Sequence, residues 1–427
     1  GFCSEVSDAQ MEAILRKSGD IREAMDALID RSVETILELI DRAEACGCYV
    51  AECDMGTEFT FNREQYVEGL GGVTVWTGMS FDEEGRPYTQ NPNIMLLRGY
   101  QPKLPVFDKP IYFDNPNDQM AYLFLFKNKE GKTLGTLSRF AAHPDAAVLF
   151  EQRFHPNREH EYHYDFDWPG YLSEDMEKAF GGVGMYINGP CADLSAKKSY
   201  DGMDTYEASA ADCRRLASLI GGRMREIFAK NACKLDVDAA FKTESFEITL
   251  PMKEDIPYTY DEIRNIHPQI DEAQRRLDEA IARGDAPAQV KRLIDDRWRV
   301  GHIPQLIRGE EYGFTEQLIR GKLLFGKAVF LPADEVTVCV TALRFGGYLF
   351  VGVPGESLVD MTLWLRSRFS GAKTVSVDQI GGYYNYMATP RSMTLGGYTY
   401  WSSWVRRDAI PIFKAALAPK LDAFMRD

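Results

Sequence analysis

Three stretches of this sequence share one design: an apolar run ends in a turn that holds a side chain able to do chemistry. Residues 134–142 run into His143-Pro144, within Phe-Ala-Ala-His-Pro. The run 348–353, Tyr-Leu-Phe-Val-Gly-Val, ends in Pro354-Gly355-Glu356-Ser357. The run 183–187 ends in a turn carrying Asp193 and Ser195. Open α/β sheets place ligands and catalytic groups beyond the carboxyl ends of their strands. His, Glu, Asp and Ser at three such ends therefore suggest a common site. A histidine at such an end either packs or presents a ligand, and a serine raises a weak serine-hydrolase reading.

Each residue also has a plain structural reading. On spacing alone His143 reads as a satisfied, partly buried histidine. Glu356 reads as an acid favouring the positive end of a following helix. Ser195 lies outside a G-x-S-x-G elbow, which weakens a serine-hydrolase reading. Arg63 reads as an ordinary surface arginine. His160 and His163, near Asp165 and Asp167, have metal-ligand types but sit in a polar, aromatic stretch, 151–170, that reads as a loop.

The elements that must position these groups alternate between helix and strand. Met25, Leu28, Ile29, Val33, Ile36, Leu37 and Ile40 recur at helical spacing within 21–45. A strand follows at 48–52, then a loop at 56–66. Two strands, 119–127 and 134–142, form a hairpin turning at Lys129-Glu-Gly-Lys. Helices are expected at 172–180, 207–230, 354–369 and 405–425, and strands at 183–187, 336–340, 348–353 and 374–377. The run at 348–353 is apolar throughout, as in a strand buried on both faces. Residues 258–325 read as a helical excursion broken at Gly284-Asp-Ala-Pro287. The expected fold is α/β, a mixed β-sheet core flanked by helices, in a single domain spanning 1–427 with that helical insertion.

The chain has 427 residues, 45% of them hydrophobic, enough for a substantial core. Its net charge of −15 and lack of a basic stripe argue against a nucleic-acid surface. No apolar run reaches the roughly 18 residues that span a bilayer. Eight cysteines fall mostly in helix or strand patterns and read as buried free thiols. Cys46-Gly-Cys48 with Cys53 lacks the spacing of a zinc knuckle. Reduced thiols point to a cytoplasmic protein.

Seven short motifs occur in one order: Asn62-Arg63, FAAHP, DFDWPGYL at 165–172, INGPCADLS at 187–195, VGVPGE at 351–356, YYNYMAT at 383–389 and GGYTYWSS at 396–403. In order and spacing they resemble the neutral/alkaline (non-lysosomal) ceramidase family over nearly the whole chain. That resemblance implies a zinc amidase whose metal is held by two histidines, a glutamate and a tyrosine. It implies Zn2+ at His143, Glu356 and Tyr386, with Tyr383 the first tyrosine of the Y-x-x-Y pattern. It also implies that Arg63 and Ser195 hold the substrate oxygen, with Asp193 beside Ser195 in the catalytic turn. Asp167 and His163 would line the mouth. Zinc in such a site lowers the pKa of a bound water to about 7 and polarises a carbonyl, as cleavage of an unactivated amide requires.

The chain departs from the family pattern. The family's first zinc histidine lies in a T-H-T-H motif ahead of the first long helix, and no H-x-H occurs here. The chain opens on Gly1, just downstream of where that motif belongs. Three arrangements are compatible: a separate N-terminal polypeptide supplies the histidine, the chain is a shortened form, or the site has three protein ligands. The start on glycine favours a missing segment. The turn G-D-V-S-P has become Ala192-Asp-Leu-Ser195-Ala, and Thr399 stands where the family tends to have Glu. The C-terminal immunoglobulin-like domain of larger members is absent, which favours a smaller or more soluble amide over membrane-docked ceramide. The expected partner is thus a small-molecule or lipid-like amide, with a homo-oligomer also compatible. The rival expectations are a non-catalytic binding protein of the same fold and a metal-free serine hydrolase using Ser195.

Overall fold

The computed structural model describes residues 18–75, 80–89, 94–95, 100, 102–146, 165–197, 206–236, 241–251, 267–311, 335–382, 385–403 and 405–426. The fold is mixed α/β and rests on two sheets. The first has the strand order Val183–Asn188, Thr133–Phe140, Met120–Asn128, Cys46–Asp54, Cys233–Leu235. The second has the order Phe241–Pro251, Glu335–Phe345, Tyr348–Val353, Lys373–Asp378.

Period-two alternation explains how the sheets stack. In the first sheet Tyr122 and Phe124 join Cys48 and Val50 in a core shared with Tyr348, Phe350, Val375 and Val377 of the second. The sheets therefore pack face to face. Leu123 and Leu125 point the other way, onto the helices Asp167–Phe180 and Tyr206–Asn231 through Trp168, Leu172, Met176, Leu216 and Ile220. Leu349, Val351 and Val353 likewise face the helices Val359–Arg368 and Ala409–Arg426. The result is four layers, helix–sheet–sheet–helix. The continuous apolar character of 348–353 follows, since all six of its residues are buried.

Buried polar groups tie the layers together below the strand ends. Arg139 is fully buried and donates to Asp118 at 2.6 Å and to the Ser376 carbonyl at 3.1 Å. Arg366 donates to the other Asp118 oxygen at 2.7 Å. Burial alone would raise the Asp118 carboxyl, but the two guanidinium groups hold it below its ordinary range.

The helical insertion packs as a hairpin, His267–Arg283 and Pro287–Glu311, turning at Gly284 with φ 72°. Leu277, Ala280, Val290 and Ile294 cover Phe61, Val67, Val73 and Phe113. The insertion thus supports the segment that carries Arg63.

Several expectations need correction. The region 56–66 is not all loop: Thr60–Asn62 and part of Glu64–Val67 are strands. The helix after strand 348–353 starts at Val359, because Glu356–Ser357 is itself a short strand paired with Tyr386–Met387. The helix expected over 172–180 begins at Asp167, and the terminal helix begins at Ala409 with Pro411 in its first turn, where a proline costs no hydrogen bond. In the first helix, Ser18–Asp41, the apolar stripe Ile29, Val33, Ile36, Leu37 and Ile40 is exposed among the described residues. Seven described cysteines are free, but Cys46 and Cys233 are exposed rather than buried. No helix among the described residues is long and apolar enough to cross a membrane.

Candidate active site

The site is assembled by very short pairings beyond the ends of the main strands. Leu194–Ala196 pairs antiparallel with Thr60–Asn62, placing Ser195 opposite Phe61. On its other side His143 bridges Ser195 in parallel, and the His143 N–H donates to the Leu194 carbonyl at 2.9 Å. The Trp168 indole N–H donates to the His143 carbonyl at 3.3 Å. Glu356 pairs with Tyr386, and its N–H donates to the Asn385 carbonyl at 3.0 Å. Asn385 holds φ 58°, a left-handed conformation that asparagine tolerates better than most residues. Gly355 leaves room for this approach: a Cβ there would lie 2.8 Å from the Asn385 carbonyl.

These pairings bring three candidate ligands together. His143 Nε2 lies 3.3 Å from Glu356 Oε2 and 3.3 Å from the Tyr386 hydroxyl. Bonds of about 2.0–2.1 Å from zinc to N or O set tetrahedral edges of about 3.3–3.4 Å. The donor types and both separations fit one zinc ion. Among the described residues no group of three or more His, Cys, Asp or Glu is placed to hold a metal; beside His143 and Glu356 the third group at this point is the Tyr386 phenol.

Arg63 is not a surface arginine: its side chain is fully buried. Nε and Nη2 donate to the Ala192 carbonyl at 2.9 and 2.6 Å, and Nη2 donates to the Tyr386 hydroxyl at 2.9 Å. Tyr398 stacks edge-on against Tyr386, with centroids 5.1 Å apart, and also lies under the guanidinium. Burial raises the Tyr386 phenol well above its ordinary value, with Arg63 opposing. For Arg63 burial works against the charged form, but Tyr386, Asp145 and Glu356 outweigh it and hold the guanidinium charged.

Ser195 Oγ is buried and has no hydrogen-bond partner among the described residues. Among the described residues no base therefore rests on it, as a serine nucleophile requires. Asp193 has both oxygens engaged: one accepts from the Asn62 amide at 2.8 Å, the other from the Val359 N–H at 2.8 Å. It caps the helix that follows Glu356 and locks Asn62, and with it Arg63, to that helix. Burial and neighbouring Glu64 push its carboxyl up to about 7, against those hydrogen bonds and Arg63. Asp378 is raised by burial as well, and accepts from Ser357 Oγ at 2.6 Å. Burial thus favours the neutral forms of Asp193 and Asp378, while Arg63 stays charged.

Asp167 accepts from the Trp168 N–H at 2.7 Å, with φ 52°, and so starts the helix whose indole holds His143. His163 and Tyr383 lie outside the described residues, as does His160. Three features were not anticipated from the sequence: Asp145, the Asn62–Asp193 link and the Tyr398 stack. The one available signal was an acid two residues after His143 in the same turn.

No protein-family model and no curated protein matches the sequence. Solved structures do match the fold. A neutral ceramidase from Pseudomonas aeruginosa aligns at a TM-score of 0.52 with 12% identity, over 92% of this chain and 54% of that one. A ceramidase complexed with C2 aligns at 0.47 with 12% identity, over 88% of this chain and 52% of that one. The chain therefore spans about half the length of the structures it matches. At this identity the first likeness establishes the fold alone.

Proposed function

We propose that the protein is a zinc-dependent hydrolase that cleaves a linear amide bond in an N-acyl substrate, either a small molecule or lipid-like. The observation that carries this reading is the convergence of Glu356 Oε2 and the Tyr386 hydroxyl on His143 Nε2, each at 3.3 Å. The likeness of the fold to a neutral ceramidase supports it. His143, Glu356 and Tyr386 would hold the ion, with a further donor from outside the described residues. Zinc in that position supplies a Lewis acid for the amide carbonyl and an activated water.

The chain's own residues do the rest. Arg63, donating to the Tyr386 hydroxyl, holds that oxygen in place and favours its ionised form. Ser195 Oγ, buried beside His143 with no hydrogen-bond partner among the described residues, is available to hold the substrate oxygen. Asp193 positions rather than reacts, since both its oxygens are committed to the scaffold. The His143 side chain is 23% exposed while Glu356 is 7% exposed, so substrate approaches from the imidazole side. The free thiols of the described residues support a reducing compartment, such as the cytoplasm, for this reading.

A second reading is a binding protein of this fold without hydrolysis. What favours it is the sparse donor set: one imidazole, one carboxylate and one phenol among the described residues. Assaying the purified natural protein against a panel of N-acyl amides, with and without a chelator, tests the proposal. Chelator-sensitive hydrolysis restored by zinc is expected. Zinc binding without turnover of any amide favours the second reading, and chelator-resistant turnover points instead to Ser195.

A further inference from the structure

The turn after His143 carries a second acid that no feature of the sequence motif demanded. Asp145 is 5% exposed, a rare state for a carboxylate. One oxygen lies 3.9 Å from His143 Nδ1 and 4.0 Å from Arg63 Nη1. The turn cannot easily drift. Its entry is pinned by the His143 N–H on Leu194 and by Trp168 on the His143 carbonyl. Its exit is pinned by Ala146, which is buried in the core under Trp168. Pro144 stiffens the link between the two acceptor-bearing ends.

His143 has one nitrogen on each side of this arrangement. Nε2 faces Glu356 and Tyr386. Nδ1 is buried with no hydrogen-bond partner among the described residues, and Asp145 is the acid beside it. Metal-binding histidines almost always donate their other N–H to a carboxylate, a carbonyl or water, which fixes the tautomer and the ring plane.

We infer that Asp145 is the positioning residue of the proposed metal site. Its carboxylate, 3.9 Å from Nδ1, favours the proton on that nitrogen, so that the Nε2 lone pair faces Glu356 and Tyr386. By facing Arg63 as well, it offsets the guanidinium charge that would otherwise repel a cation. This inference rests on the zinc reading given above. It assigns Asp145 no contact with substrate.

Zinc affinity, measured by chelator competition on the full protein, separates this role from a merely structural one. The wild type, Asp145→Asn and Asp145→Ala are compared, with the melting temperature of each metal-free protein measured alongside. Loss of an outer partner of this kind costs about 10–100-fold in metal affinity. Asp145→Ala is expected to fall in that range. Asp145→Asn keeps an acceptor and the shape of the turn, and is expected to fall less. A purely structural role lowers both melting temperatures but leaves zinc affinity within about threefold of wild type, and that result overturns the inference. A wild type that binds no zinc overturns the zinc reading itself, and the inference with it.

Discussion

Replacing Tyr386 with phenylalanine deletes one oxygen, and the structure states what that oxygen does. It accepts from Arg63 Nη2 at 2.9 Å and lies 3.3 Å from His143 Nε2. A hydrogen bond to a charged group contributes about 1.5–3 kcal/mol. Arg63 keeps the Ala192 carbonyl through Nε and Nη2, so its charge is not stripped of partners. The lower end of the range applies, and the metal-free Tyr386→Phe protein should lose about 1.5 kcal/mol in urea unfolding. Zinc affinity should fall much further, because one of the three proposed donors disappears. A loss of at least about 100-fold, or about 2.8 kcal/mol, is expected by chelator competition, and amide turnover should fall with it. If Tyr386→Phe loses stability as stated but binds zinc as tightly as wild type, the phenol is a scaffold group and the donor geometry has been misread.

Gly355→Ala puts a Cβ 2.8 Å from the Asn385 carbonyl, the acceptor of the Glu356 N–H; melts with and without zinc should show a loss of about 1–3 kcal/mol and a smaller zinc-induced shift. Asp193 sits at about 7 in the fold, above the ordinary carboxyl value of about 3.9. With its pKa raised, the stability it contributes is present below about pH 4 and is lost as pH rises towards 7. Chelated Asp193→Asn should therefore gain on wild type across that window, over a constant deficit from the lost Asn62 hydrogen bond; parallel pH curves would refute the raised value. Asp118 is the opposite case, a carboxyl held low by Arg139 and Arg366. Asp118→Ala should cost about 3–5 kcal/mol at pH 7, a deficit that shrinks as pH falls and the wild-type acid protonates.

The sequence was informative where physical patterns run long enough to register. The strand Tyr348–Val353 is apolar on both faces because sheet and helix cover it on either side. The hairpin over 120–140 and the helical pair around Gly284 carry their own turn signals. The site was another matter. Thr60–Asn62, Leu194–Ala196, Glu356–Ser357 and Tyr386–Met387 are two or three residues long. No periodicity can show in so short a run, and each pairs with a segment remote in the chain. His143, Glu356 and Tyr386 were grouped by resemblance to a family, not by spacing. Glu356 reads alone as a helix charge, yet the helix starts at Val359 and its first N–H donates to Asp193, far away in sequence. Arg63 read alone as a surface residue, because nothing local announces that Ala192, Tyr386 and Asp145 will enclose it.

The proposed function stands on His143, Glu356 and Tyr386 holding one zinc ion. Anomalous diffraction at the zinc edge from crystals of the zinc-loaded protein tests it most directly. A single strong peak is expected within bonding distance, about 2.0–2.2 Å, of His143 Nε2, Glu356 Oε2 and the Tyr386 hydroxyl. A zinc-loaded crystal with no peak there, or with its peak on other side chains, would contradict it.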